Sequence, residues 1–195
     1  MTDLILASGS PRRRELLGKL GVDFRVRVSD VDEDIPELDP ARFVETLARE
    51  KAGAIAVLEP SASVIAADTT VALEGRILNK PKDIEENAEF IADLSGRWHE
   101  VHTGICVVHA GQTVSAVELT RVKFRDLSAS EIRGYADSGE GLDKAGGYGI
   151  QELGMALVER IEGDFFNVMG LPVVRLIALA RSAGLELLPW TRDAT

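Results

Sequence analysis

The residues Ser8-Gly9-Ser10-Pro11-Arg12-Arg13-Arg14 stand between an apolar stretch, Leu4 to Ala7, and the helix-forming run Glu15-Leu16-Leu17. A strand, a tight loop and a helix start in that order restrict the chain to folds in which a strand end meets a helix N-terminus. Ser10 suits the N-cap and Pro11 the first helical position, so unpaired amides of the first turn stand beside the arginines. Such a turn is a natural socket for an anion. At helical spacing Arg13 shares a face with Leu16, Leu17 and Leu20, the face that turns inward. A solvated arginine does not belong on that stripe. The alternative is an ordinary capped helix with a basic surface turn.

With 195 residues, 45% of them hydrophobic, the chain can bury a core as one domain, expected over residues 1–188 with 189–195 as a tail. Two tight lobes are compatible with that size, whereas two independent domains are not. The 32 acidic against 22 basic residues give a net charge of −10, which argues against a general nucleic-acid binder. An anionic ligand must therefore meet a local basic cluster. Cys106 is the single cysteine, and its apolar setting reads as a small buried hydrophobe rather than a nucleophile. Met1-Thr2-Asp3 precedes an apolar run too short for a signal peptide, and no segment is long enough to cross a membrane. The expectation is a cytoplasmic protein with no membrane partner.

Beyond a first helix stopping at Gly21, the alternation from Asp23 to Ser29 predicts a strand, followed by the acidic loop Asp30-Val31-Asp32-Glu33-Asp34. Four carboxylates in one loop invite a cation. Asp39-Pro40 opens a helix carrying Val44, Leu47, Lys51, Ile55 and Leu58 on one stripe. Lys51 is the odd member: either it snorkels to water or it holds its ammonium toward a ligand in a cleft. Ser63 to Ala67 reads as a short buried strand ending at Asp68-Thr69-Thr70, which places the Asp68 carboxylate where ligands of open α/β sheets collect. Its ordinary alternative is an Asx-turn. Val71 to Leu78 reads as a hairpin returning Asn79-Lys80-Pro81 toward Asp68.

Asp83 caps a helix bearing Ile84, Ala88, Ile91 and Leu94 and closing at Ser95-Gly96. Strands near Glu100–His109 and Thr113–Arg125, joined by Ala110-Gly111-Gln112, predict an antiparallel pair. Ser128 and Glu131 have capping-box spacing. In Asp143-Lys144-Ala145-Gly146-Gly147-Tyr148-Gly149-Ile150-Gln151, glycines let backbone approach a ligand while Lys144 and Gln151 offer charge and an amide; a bulge or sharp corner is the plainer reading. Met155–Ile161 and Phe165–Met169 read as a further hairpin, and Leu171 to Ala183 as an amphipathic helix. His99, His102 and His109 lack the spacing or company of a metal site. Walker and Rossmann glycine patterns are absent.

The candidates form a cationic set, Arg12, Arg13, Lys51, Lys80 and Lys144, and an acidic pair, Glu33 and Asp68. A polyphosphate with a divalent metal accounts for both signs, since Mg²⁺ takes one or two carboxylates together with phosphate oxygens while arginine and lysine neutralise the remainder. A carboxylate there can orient or deprotonate water for attack on phosphorus.

Several ordered blocks carry a resemblance over Leu4 to about Leu188: LASGSPRRRELL, LAREKA around Lys51, AADTT at Asp68, NKP at Lys80, LSGRWH, DKAGGYGIQ and FFNVMGLP. In these the chain resembles the Maf nucleotide pyrophosphatases. The resemblance implies an α/β fold, with a mixed, strongly twisted β-sheet flanked by helices in two lobes around a central cleft, of the type shared with inosine-triphosphate pyrophosphatases. It implies a cytosolic hydrolase that splits a nucleoside triphosphate into monophosphate and pyrophosphate with Mg²⁺, Mn²⁺ or Co²⁺, and a possible homodimer. By the same resemblance Asp68 is the catalytic base or water-orienting carboxylate, Glu33 and Asp68 hold the metal, and Ser10, Arg13, Lys51 and Lys80 bind phosphates. Arg12, Thr69 and Gln151 match the residues that discriminate the base in the dTTP/UTP branch. A side-chain amide at Gln151 suits uracil or thymine, offering a donor and an acceptor together. Gly141 stands where relatives often have proline and Glu152 where glycine is frequent, both beside the base-reading loop. Readings kept beside dTTP/UTP hydrolysis are a 7-methyl-GTP or deaminated-purine pyrophosphatase and a nucleotide-binding regulator of cell division without turnover.

Overall fold

The structure, a computed structural model, describes residues 3–36 and 39–191. Its frame is a mixed seven-stranded sheet in which β2 (Arg25–Val26), β1 (Leu4–Leu6), β3 (Ser63–Leu73), β5 (Trp98–His109), β6 (Gln112–Phe124) and β7 (Val158–Glu162) lie side by side, and β4 (Arg76–Leu78) pairs with β3. β1 is parallel to β2 and β3, and the remaining pairs are antiparallel. Helices α1 (Pro11–Lys19), α2 (Pro40–Leu58), α3 (Ile84–Leu94), α4 (Ala129–Asp137), α5 (Phe165–Val168) and α6 (Val173–Ser182) complete the order. The α/β class with helices flanking a mixed sheet is as expected.

Strand alternation sorts the core into two layers. Leu4 and Leu6 of β1, Ile65 and Ala67 of β3, and Ile105 and Val107 of β5 join the larger cluster with Leu16 and Leu17 of α1, Ile91 of α3 and Leu176 of α6. Ile5, Val64, Ala66 and Cys106 face the opposite way, onto Ala48, Ala52 and Ile55 of α2. A period of two on buried strands explains both sets at once. The same parity governs the residues beyond Ala67: Asp68 takes the side of α2, and Thr69 the side of α1.

The caps follow local chemistry. Ser10, Asp39, Asp83 and Ser128 each accept a first-turn amide, and Ser128 with Glu131 closes a capping box. The β5–β6 connection is tighter than expected: only Ala110 and Gly111, both at positive φ, form the turn, and Gln112 already pairs with His109.

Four expectations are corrected. The strand foreseen over Asp23–Ser29 is only Arg25–Val26, an edge strand whose single partner, β1, has three residues. Leu58, on the predicted buried stripe of α2, is exposed, since the helix outruns the sheet beneath it. Asp68 does not end its strand, because β3 continues to Leu73 with β5 paired along it. The hairpin over Met155–Met169 is also absent: Leu153–Ala156 is a 3₁₀ turn, β7 follows, and Asp164 caps the short helix α5 where a second strand was expected. Five residues are too few for apolar period to separate strand from helix. Of the predicted tail, Pro189–Thr191 forms a 3₁₀ turn, with Pro189 near Gly21; the rest lies outside the described residues.

One glycine sets how closely α2 approaches the sheet. A Cβ on Gly104, the β5 partner of Asp68, would lie 2.2 Å from the Val44 carbonyl oxygen and 2.7 Å from the Glu45 nitrogen. Helix backbone therefore rests directly on strand backbone next to the buried charges. Gly104→Ala is expected to destabilise the fold by about 1–3 kcal/mol through overpacking. Urea unfolding checks this as a lowered midpoint at unchanged slope, and an unshifted midpoint contradicts the contact.

Candidate active site

What stops at the sheet's opening is β1, not β3. β1 pairs with Ser63–Ile65 and β4 with Val71–Leu73 on the side away from β5, so residues 66–70 have no strand along that edge. Arg13 fills the gap. Its Nη1 donates to the Ala67 carbonyl at 2.8 Å and to Ser8 Oγ at 3.1 Å, its Nη2 to Thr69 Oγ1 at 2.9 Å, and its Nε to the Gly170 carbonyl at 2.8 Å. Four of the five guanidinium N–H groups are thus committed to the protein, leaving one Nη2 hydrogen for a ligand. Burial pushes the Arg13 pKa down, while the charges of Asp68 and Glu33 oppose that shift. The inward orientation read from the helix stripe holds, and most of what the guanidinium meets there is backbone and hydroxyl.

The hydroxyls beyond Arg13 have a fixed polarity. Thr103 is the register partner of Thr69, and its Oγ1 donates to the Asn167 carbonyl at 3.1 Å. The 2.9 Å contact between the two threonines must then be donated by Thr69. A directed chain runs from Arg13 through Thr69 and Thr103 to Asn167. Asn167 is fully buried and its Nδ2 donates to the Val101 carbonyl and to Thr120 Oγ1, each at 3.0 Å. Sequence reasoning assigned nothing to Thr103, Asn167 or Gly170. A buried asparagine in an aromatic run carries no chemical signal until its partners, distant in sequence, are known.

On the α2 face, Lys51 is buried and bridges two acids, with Nζ 2.7 Å from Asp68 Oδ1 and 2.6 Å from Glu33 Oε1. The ammonium is in the cleft and not at the surface. Asp68 is itself buried, whereas Glu33 is half-exposed on the acidic loop. Burial works to raise the Glu33 pKa, but the hydrogen bond and charge of Lys51, with Lys80 and Arg13 adding, hold it below the usual carboxylate value. Its charge is therefore retained at neutral pH.

These groups line a cavity of about 710 Å³, within the range of small-molecule sites. Ser10, Arg12, Lys80, Lys144 and Gln151 line it as well. Ser10 caps α1, its Oγ accepting the Arg13 amide at 3.4 Å. Arg12 stands 3.9 Å from Asp143. Lys80 is exposed, with no ion-pair partner among the described residues, and its charge reaches Glu33 but makes no direct contact with Asp68. Lys144 is buried and turned to the Glu140 carbonyl at 2.5 Å and Asp143 Oδ1 at 2.7 Å. The Oε1 of Gln151 is buried without a hydrogen-bond partner, so the cleft holds an amide acceptor ready for a ligand.

The two unusual positions have distinct surroundings. Glu152 lies 3.6 Å from the Lys144 ammonium. At Gly141 a Cβ would come within 2.0 Å of the Gly147 carbonyl oxygen, so this backbone path excludes proline there.

As a metal site the donor set is sparse. Among the described residues no group of three or more His, Cys, Asp or Glu side chains is placed to hold an ion. Glu33 and Asp68 alone fit a cation such as Mg²⁺, which takes one or two protein carboxylates and completes its shell with water and phosphate oxygens. Among the described residues no histidine bonds to Glu33 or Asp68: His99 meets the Tyr148 hydroxyl at 2.8 Å, His102 meets Glu100 Oε2 at 3.0 Å and His109 meets Ser63 Oγ at 2.7 Å. Burial pushes the His99 pKa down to about 3 and the Cys106 thiol up to about 11. Neither is equipped as an acid, a base or a nucleophile.

The family model for Maf-like proteins matches residues 3–183. The chain belongs to the Maf family. A dTTP/UTP pyrophosphatase of Deinococcus radiodurans is 56% identical over 94% of each chain. A dTTP/UTP pyrophosphatase of Thermus thermophilus is 52% identical over 93% of this chain and 95% of that one, and one of Pyrococcus furiosus is 49% identical over 92% and 94%. The structure of the Staphylococcus aureus Ham1 protein overlays on 64% of this chain and 73% of that one at 18% identity, with a TM-score of 0.48.

A buried ion pair is asymmetric in energy: losing one member costs about 3–5 kcal/mol, while losing both is nearly neutral when the space is refilled. Lys51→Met is expected to cost about 3 kcal/mol, the low end, because the Arg13 charge also acts on Asp68. Lys51→Met/Asp68→Leu should recover most of that loss. A double-mutant cycle in urea measures both; simple additivity of the two single changes would show the pair to be uncoupled.

Proposed function

We propose that this Maf protein hydrolyses dTTP and UTP to the nucleoside monophosphate and pyrophosphate. The observation that carries the reading is the Glu33–Lys51–Asp68 bridge in a cleft that also holds Arg12, Lys80 and the unpartnered amide of Gln151. Names borne by relatives at about half identity over nearly full length support the same activity. The net charge of −10 disfavours nucleic acid as a partner and supports reading the local cationic cluster as the polyphosphate site.

In this reading the triphosphate lies across Lys51 and Lys80 with the α1 N-terminus and Ser10 beside it. Arg13 contributes its one remaining donor while holding the loop rigid. Asp68 accepts or orients the proton of the attacking water, whose oxygen bonds to phosphorus as the bond between the α- and β-phosphates breaks and pyrophosphate leaves. A divalent cation held by Glu33 and Asp68 would neutralise charge on the phosphate oxygens. Lys51 holds the Glu33 and Asp68 carboxylates side by side before substrate arrives. Gln151, with Arg12 and Thr69 lining the same cleft, reads the pyrimidine edge, and the protein acts on free nucleotides in the cytoplasm.

Asp68→Asn keeps the shape of the side chain and leaves Glu33 on Lys51. Pyrophosphate release from dTTP with Mg²⁺ is expected to fall by about 10²–10⁴-fold in a variant that still folds. Chelation of divalent ions should stop turnover in the unaltered protein. Pyrophosphate and orthophosphate measured separately across canonical and modified triphosphates check the substrate: a preference for 7-methyl-GTP or dITP over dTTP and UTP refutes the pyrimidine reading, and full turnover by Asp68→Asn refutes the base.

A further inference from the structure

Residues 149–154 carry Gln151 at the cleft, and both ends of that segment are tied to one carboxylate. The Gly149 amide donates to the Tyr135 hydroxyl at 3.2 Å, and that hydroxyl donates to Glu140 Oε1 at 3.0 Å. The Leu153 amide donates to Glu140 Oε2 at 2.7 Å, and the Gly154 amide to Oε1 at 3.0 Å. The two ends also touch, since a Cβ on Gly154 would lie 2.5 Å from the Gly149 carbonyl oxygen. The loop is a closed ring of backbone with Gln151 at its middle.

Among the described residues no hydrogen bond holds the Gln151 side chain, and its buried Oε1 has no partner. Where the amide stands is therefore a property of the backbone path, and that path is set by Tyr135 at the end of α4 and by Glu140 just beyond it. Neither residue lines the cavity. We propose that Glu140, through Tyr135 and the amides of Leu153 and Gly154, is the positioning residue that sets Gln151 for selection of the base. The inference rests on the reading that Gln151 meets the base. A carboxylate is the chemical requirement: one hydroxyl and two amide donors converge on its two oxygens, and an ionised acceptor takes them more strongly than a neutral one. Glutamine would turn an NH₂ against at least one of these donors. Small misplacements of a reading group are costly, with about 1 Å worth as much as 10²-fold in rate.

The test uses the full chain with Mg²⁺ and dTTP, UTP, dCTP and dATP as substrates, comparing Glu140→Gln, Tyr135→Phe, Gln151→Ala and the double variant Glu140→Gln/Gln151→Ala. For Glu140→Gln, the preference for dTTP over dCTP in kcat/KM is expected to fall at least about tenfold, chiefly through a raised KM for dTTP, with kcat reduced by less than about threefold. Tyr135→Phe should move selectivity in the same direction by less, and the double variant should be no less selective than Gln151→Ala. A general loss of fold would instead lower kcat for every substrate alike. If Gln151→Ala loses selectivity and Glu140→Gln keeps it, the positioning role is overturned and the base-reading assignment stands. If Gln151→Ala keeps selectivity, the assignment itself fails and the positioning role with it. Should Glu140→Gln not fold, Tyr135→Phe decides, and unaltered selectivity in that variant overturns the proposal.

Discussion

A mismatch of strand lengths organises this molecule. β3 runs for eleven residues between β5 on one side and two three-residue strands on the other. Between those short neighbours a few residues of β3 lie at the centre of the sheet with an open edge. Backbone groups in such a place must find partners or pay for their desolvation. The Arg13 guanidinium meets that need at Ala67, and the α1 N-terminus is thereby drawn against the sheet. The gap in the sheet and the cleft of the molecule are one feature.

Side-chain alternation then divides the work between the two faces. Asp68 turns toward α2, where Lys51 arrives on an otherwise apolar helix face, while Thr69 turns toward Arg13 and the loop after α5. Gly104 lets α2 come close enough for the short pair to form. Acid and hydroxyl, adjacent in sequence, thus belong to different networks. The first is ionic, and its members can exchange partners with a charged ligand. The second is a directed chain of neutral hydrogen bonds ending on the fully buried Asn167.

Several sequence expectations held because they rest on local physics. The four caps, the Val71–Leu78 hairpin with its turn at Glu74 and Gly75, and the burial of Cys106 depend on residues within a few positions of one another. The inward turn of Arg13 was legible from helical period alone. Other expectations failed where a partner distant in sequence decided the matter. Period could not show that β1 stops while β3 continues, nor that Phe165–Val168 coils while β7 before it extends. It left Lys51 open between solvent and cleft, because the two readings share one spacing.

By itself the sequence determined the chemical inventory: an acidic chain with a capped arginine turn, a lysine on an apolar helix, an aspartate in an apolar strand and a glycine-rich loop ending in glutamine. Those are consequences of residue type and short-range spacing. Only the tertiary structure decided that Lys51 stands between Glu33 and Asp68, that Arg13 is held by protein groups on four sides, and that Glu140 ties both ends of the loop bearing Gln151. Each of those contacts depends on where the sheet's register and the closest approach of α2 bring elements far apart in the chain, and no local pattern encodes that distance.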